Sequence, residues 1–189
     1  MIEILLGSKS PRRKQLLKEC GIKFKTVNIY SDENFSETMP TEDVAEYLAL
    51  KKSLAYKRNL NNKVLITADT IVCIDERIIN KPLDENHAIV ILNELSGKSH
   101  LVHTGVCIRT QNSKITFTET SKVFFKKLSK EQIEYYVKNY KPLDKAGAYG
   151  IQDWIGITGI YRIEGDYFNI MGLPVNKVYE IMKKCKFIS

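Results

Sequence analysis

Arg12 and Arg13 stand side by side in Gly7-Ser8-Lys9-Ser10-Pro11-Arg12-Arg13, directly after an apolar run, in a chain with only six arginines. A guanidinium presents a planar fork that grips phosphate through paired hydrogen bonds, and the free N–H groups at a helix start favour anions. The pairing points to a phosphate site. Further along, Val64-Leu65-Ile66-Thr67-Ala68-Asp69-Thr70-Ile71-Val72-Cys73-Ile74 is strand material on both sides of a single carboxylate. An unpaired buried carboxylate is strongly unfavourable, so Asp69 must be neutralised by a metal, by cationic neighbours or by hydrogen bonds at a local bend. Cations are at hand. On a wheel of the helix predicted over 41–58, Val44, Ala45, Leu48, Ala55 and Tyr56 mark an apolar arc, and both Lys51 and Lys52 fall inside it. Either one of them points into a site or both lay their stems on apolar surface with the ammonium in water, and spacing does not choose. Lys81, in Lys81-Pro82, faces a cleft or water on the same evidence.

The elements that must position these groups alternate between strand and helix. A buried strand over 2–6 leads to a helix over 11–20, with Ser10 as N-cap, Pro11 at the first helical position and Gly21 at the end. A second strand is predicted over 24–30, then a polar loop over 31–40 that holds Asp32, Glu33 and Glu37. Thr41 is placed to cap the next helix, with Glu42 and Asp43 well set against its dipole. After the strand that holds Asp69, Asp75-Glu76-Arg77 reads as a hairpin turn into Ile78-Ile79. Asp84 caps a helix with Ala88, Ile91, Leu92 and Leu95 at helical spacing. Strands over 99–110 and 114–126 follow, then a capping box at Ser129-Lys130-Glu131-Gln132 opening a helix to Tyr140. Residues 144–152 are small residues between polar ones, with two glycines that permit close backbone approach. A strand over 155–163, a Gly165-Asp166 turn and a helix over 174–184 complete the chain.

Composition bounds the class. With 189 residues, 43% of them hydrophobic, the chain can bury the core of one domain over 1–189 or of two closely joined lobes. Linkers, repeats and low-complexity tracts are lacking. The formal charge of +7 favours anionic partners, but the lysines are scattered, which disfavours nucleic acid and suits a small polyanion equally well. The apolar runs are too short for a membrane span and residues 1–6 lack the features of a secretion signal, so the reading is a soluble cytoplasmic protein. Cys20, Cys73, Cys107 and Cys185 lack the paired spacing of a zinc or redox motif and read as free thiols. His100 and His103 lie three apart on a strand and make a poor metal pair, and His87 has no partner histidine.

A nucleoside triphosphate hydrolase needs cations on the phosphates and carboxylates to hold a divalent metal and orient a water. Arg12, Arg13, one of Lys51 and Lys52, and Lys81 supply the first set, and Glu33 and Asp69 the second. A Walker loop, a dinucleotide glycine fingerprint and a Gly-x-Ser-x-Gly elbow are all absent from the sequence, which removes the commonest alternatives.

The chain resembles the Maf family of nucleoside triphosphate pyrophosphatases nearly end to end. The resemblance rests on Ser8-Lys9-Ser10-Pro11-Arg12-Arg13, Ala68-Asp69-Thr70, Lys81-Pro82, the run from Ser96 to Gly105, residues 144–152 and Asn169-Ile170-Met171-Gly172-Leu173-Pro174. It implies hydrolysis between the α and β phosphates to a monophosphate and pyrophosphate, with Mg²⁺ or Mn²⁺. By the same resemblance Asp69 matches the proton acceptor; as a mechanism, Asp69 and Glu33 are expected to anchor the metal, with Asp69 or a metal-bound water group taking the proton of the attacking water. The resemblance also matches Arg12, Thr70 and Gln152 to positions that tune substrate choice and Glu33, Lys52 and Lys81 to other members of the charged pocket, which selects Lys52 over Lys51. Arg13, Lys52 and Lys81 are then expected to neutralise charge on the phosphates. Ser-Pro-Arg-Arg, Ala-Asp-Thr and Gly-Ile-Gln are similar to the branch acting on dTTP and UTP. Asn80 stands where many members have glycine before Lys-Pro. The implied fold is α/β, a long twisted mixed sheet flanked by helices, with two lobes and a central cleft, and the implied assembly is a homodimer. The competing reading from another class is a non-enzymatic, nucleotide- or nucleic-acid-binding regulator of septum formation. A phosphatase releasing single phosphates is a third.

Overall fold

The structure is a computed structural model describing residues 2–188. Its first strand, β1 (Glu3–Leu6), buries Ile4, Leu5 and Leu6. It runs parallel to β2 (Lys25–Thr26) on one side and to β3 (Lys63–Ile74) on the other, with Leu5 beside both Lys25 and Leu65. The second half of β3 pairs antiparallel with β4 (Arg77–Ile79), Val72 facing Ile79. With β5 (Ser99–Arg109), β6 (Lys114–Phe125) and β7 (Ile160–Glu164) the strands form one mixed seven-stranded sheet. Its order is β2-β1-β3-β5-β6-β7, with β4 joined to β3 off this path. Helices α1 (Pro11–Glu19), α2 (Thr41–Ala55), α3 (Glu85–Leu95), α4 (Lys130–Tyr140), α5 (Trp154–Gly159), α6 (Tyr167–Met171) and α7 (Val175–Lys184) flank it. The α/β class expected from the sequence is the class the chain adopts. Among the described residues no helix is long and apolar enough to cross a membrane.

The chain divides into two compact units. The first comprises residues up to Asp69, Thr104–Glu119 and the chain from Gly172 onward; the second comprises Thr70–His103 and Thr120–Met171. In the first unit, α2 is fixed by three contacts. A Cβ on Gly105 would lie 2.2 Å from the main chain of Ala45, so only glycine lets β5 pass this close to the helix. Thr67 Oγ1 on β3 donates to the Ala49 carbonyl at 2.8 Å. Arg109 donates to Ser53 Oγ (2.9 Å), Ser53 O (2.7 Å) and Tyr56 O (2.8 Å), and so satisfies carbonyls at the helix end.

Several element boundaries differ from expectation. α2 begins at Thr41, with Pro40 at the cap position and no side-chain cap, and it stops at Ala55 where Arg109 takes over its carbonyls. The strand expected over 24–30 shrinks to Lys25–Thr26, both exposed at the sheet edge, while Val27 and Ile29 pack on Leu5, Leu60 and Leu65 without a ladder. The strand expected over 155–163 is α5 followed by β7. Ile155 and Ile157 suggest a two-residue period, but Ile157 is exposed and Gly156 packs where any Cβ would meet the Ile151 carbonyl. Helix α6 follows the Gly165-Asp166 turn, where Asp166 Oδ1 accepts from Phe168 N at 2.8 Å. The expected caps at Ser10, Asp84 and Ser129 are present, the last as a full capping box with Gln132.

In the second unit His100 is buried in an aromatic cluster. Its ring lies 5.7 Å from Phe125 and 5.4 Å from Tyr149 by centroid, and its Nε2 is 2.7 Å from the Tyr149 hydroxyl. Burial pushes the imidazole pKa down to about 4, against an ordinary value of 6.5. The unfolded chain therefore binds the extra proton between those values, and the stability present above pH 6.5 is lost as pH falls towards 4. At pH 5 the loss is roughly 2 kcal/mol, or a melting point about 5 °C lower in a chain of this length. A His100→Phe variant followed by thermal melting between pH 7.5 and 5 should show a flatter pH dependence than the native protein.

Candidate active site

The site starts where β1 turns into α1. Ser10 N donates to Ser8 Oγ at 3.2 Å, Ser10 Oγ accepts from Arg13 N at 3.4 Å, and Pro11 supplies a pre-set φ for the first turn. This cap directs Arg13 back across the end of the strand. Its Nε donates to Gly172 O at 2.7 Å and an Nη donates to Ala68 O at 2.8 Å. One guanidinium thus ties α1 to the residue before Asp69 and to the chain returning at Gly172.

Asp69 itself is matched by α2. Lys52 Nζ donates to Asp69 Oδ2 at 2.6 Å, with only 17% and 14% of the two side chains exposed. The Thr67 to Ala49 bond fixes the helix along the strand at the height that makes this reach possible. Arg13 reports the surrounding charges. Burial pulls its pKa down, the Asp69 charge opposes that shift, Arg12 adds to it, and Glu33 opposes it. Arg12, Arg13, Glu33, Lys52 and Asp69 therefore form one interacting cluster in the first unit.

Lys51 also has a partner. It pairs with Asp32 and donates to Asn34 O at 2.8 Å, while Asn34 N donates to Asp32 Oδ1 at 3.1 Å. The Lys51 bond, and after it the Asn34 N–H, hold the Asp32 carboxyl below its ordinary pKa. Glu33 lies between these two tethered residues in the loop before α2. The sequence left a choice between two lysines; α2 uses Lys52 for Asp69 and Lys51 for the loop that bears Glu33. The polar run beside Glu33 was the only sequence signal for that tether.

Thr70, Lys81 and Gln152 belong to the second unit. Thr70 follows Asp69 on β3. Lys81 is exposed two residues beyond Ile79, which pairs with Val72 on β3. Gln152 is exposed directly after the buried Ile151. Sequence reasoning missed the partners of this last segment, Tyr136 and Asp153, which no motif marked.

Among the described residues no group of three or more His, Cys, Asp or Glu side chains is placed to hold a metal. Two carboxylates, Asp69 and Glu33, stand in the cluster. That donor set fits Mg²⁺ or Mn²⁺, hard cations that keep several waters and bind through one or two carboxylates plus substrate phosphates.

Comparison with known proteins finds relatives along nearly the whole chain. The profile of a family described as Maf-like protein matches residues 3–185. A relative named dTTP/UTP pyrophosphatase from Phocaeicola vulgatus is 45% identical over 184 residues, 96% of this chain and 95% of its own. Another of that name from Thermosipho africanus is 46% identical over 181 residues, 96% of this chain and 92% of its own. A solved HAM1 protein from Coxiella burnetii superposes with a TM-score of 0.49 at 14% identity, covering 97% of this chain and 100% of that one.

The Arg13 clamp makes a stability prediction separable from activity. Arg13→Met removes a charged donor from two carbonyls, and should lower the unfolding free energy by about 3 kcal/mol or more in equilibrium urea denaturation. Arg13→Lys should recover less than half of that, because an ammonium cannot reproduce the fork.

Proposed function

The chain belongs to the Maf-like protein family, and we propose that it is a nucleoside triphosphate pyrophosphatase acting on dTTP and UTP. It cleaves between the α and β phosphates to give the nucleoside monophosphate and pyrophosphate. The observation that carries the chemistry is the ion pair of Lys52 with Asp69 inside a cluster of cations. A module that only bound an anion would gain nothing from a carboxylate among the cations that hold it. The relatives named dTTP/UTP pyrophosphatase support the choice of substrates.

In this reading, water attacks the α-phosphorus while the bond from that phosphorus to the bridging oxygen of pyrophosphate breaks. Asp69 accepts the proton that the attacking water loses. Lys52 keeps the carboxylate oriented and places positive charge beside the phosphates. Arg12 and Arg13 add to that charge, with Arg13 also fixing the main chain at Ala68, and Lys81 is read as a further phosphate-binding cation. Asp69 and Glu33 would hold Mg²⁺ or Mn²⁺, which when bound neutralises phosphate charge and polarises the reacting phosphate. Arg12, Thr70 and Gln152 are read as the residues that hold or select the nucleoside end. A cytoplasmic homodimer is part of the same reading.

The test is a product assay. Purified protein with UTP, dTTP, CTP, ATP and GTP in Mg²⁺ or Mn²⁺ should release monophosphate and pyrophosphate in equal amounts, fastest from UTP and dTTP. Tight nucleotide binding without turnover would favour a regulator instead, and release of single phosphates would favour a phosphatase. Asp69→Asn keeps the shape and removes the basicity, so its kcat should fall about 100-fold or more with the melting point checked alongside. Near-native turnover from that variant would remove Asp69 from the mechanism.

A further inference from the structure

We propose that Tyr136 is a positioning residue for Gln152 and, through it, sets how sharply the site selects its nucleobase; this rests on the reading of Gln152 given above. Tyr136 lies on α4, a helix fixed at its start by a full capping box and buried along Ile133, Tyr136 and Val137. Its hydroxyl is fully enclosed and grips both flanks of Gln152. It donates to Asp153 Oδ2 at 2.7 Å and accepts from Gly150 N at 3.1 Å.

The turn is shaped around this clamp. Asp153 N donates to Gly150 O at 3.0 Å, closing a turn with Ile151 and Gln152 at its centre. A Cβ on Gly150 would sit 2.5 Å from Asp153 Oδ2, so a side chain there would push the carboxylate away from the hydroxyl. Asp153 also occupies the N-cap of α5 but makes no side-chain cap there. Aspartate is among the best residues for that task, yet its carboxylate turns to Tyr136 instead. The ammonium of Lys145, itself largely buried, lies 3.9 Å from the same Asp153 oxygen and 2.8 Å from Asp144 Oδ1. Burial first, then the hydrogen bond to Asp153 and its charge, raises the Tyr136 pKa, which keeps the phenol protonated as a donor. On the far side of Gly150, Tyr149 is held by His100. Ile151 is buried, so Gln152 is the one exposed side chain on a turn whose main chain is fixed before and after it. An amide that reads a base edge needs its direction fixed by such a second layer of contacts.

Tyr136→Phe deletes the hydroxyl and keeps the ring. It should lower kcat/KM for UTP about fivefold, chiefly through KM, and narrow the preference for UTP over CTP by a similar factor. In a Gln152→Ala background the same substitution should leave the UTP/CTP ratio unchanged. Amide exchange at Gly150 should speed up in Tyr136→Phe. An unaltered UTP/CTP ratio in Tyr136→Phe, with an altered one in Gln152→Ala, overturns the positioning role alone, and so does an equal change in both backgrounds. An unaltered ratio in Gln152→Ala overturns the reading of Gln152 and this inference together. Should Tyr136→Phe fail to fold, Asp153→Asn weakens the same clamp from its other end and carries the same expectations.

Discussion

A carboxylate in the middle of a twelve-residue, mostly apolar strand is the constraint that organises the first unit. Left alone, a charge on Asp69 would disfavour the folded strand. Lys52 answers that demand at 2.6 Å, and holding the lysine there requires a helix of fixed height on the sheet. The glycine at 105, the Thr67 hydroxyl and the Arg109 guanidinium all serve that height, at the start, middle and end of α2. Arg13 then secures the carbonyl immediately before the acid. Removing one partner of a partly buried ion pair leaves the other uncompensated, so these contacts depend on one another more than their separate strengths suggest.

The same arrangement explains why adjacent lysines on one helix serve different ends. Successive helical residues point about 100° apart, so Lys51 and Lys52 cannot share a target. Lys52 meets the strand, and Lys51 meets the loop over 31–40, binding Asp32 and the Asn34 carbonyl on either side of Glu33. A single helix thereby pairs with Asp69 and tethers the loop that bears Glu33. The loop needs such a tether because it has no ladder of its own beyond the two residues of β2.

Asp69, the arginine pair and the lysines inside an apolar arc were legible in the sequence because each breaks a local pattern: a charge in a strand, rare arginines together, cations on a buried face. The α/β class came with the family resemblance, and the alternation of elements is compatible with it; the caps at Ser10, Asp84 and Ser129 were read directly and the structure reproduces them. Illegible were features decided by distant partners. Arg109 ends α2 from 53 to 56 residues away along the chain, and the Gly172 carbonyl meets Arg13 from 159 residues away. The spacing of Ile155 and Ile157 fits a strand as well as the observed helix, and only the packing of Gly156 on Ile151 decides between them. Tyr136 and Asp153 break no pattern at all, since an aromatic residue on a helix and an acid before one are both ordinary.

The cluster around Asp69 and the turn that bears Gln152 are held by different physical means. Asp69 and its neighbours are fixed by charge, through ion pairs and charge-assisted bonds that strengthen as water is excluded. The turn bearing Gln152 is fixed by a neutral hydroxyl shared between an amide and a carboxylate, with Lys145 behind it. A triphosphate changes the local charge greatly on binding and a base hardly does. On the proposed reading, groups facing phosphate must balance their charge before and after the substrate arrives, and the Lys52 and Asp69 pair would do so by offering both signs. A group that is to read a base needs direction more than charge, and a protonated tyrosine can supply direction without adding a charge of its own. Selectivity can thus change through the turn with little effect on the charge balance around Asp69.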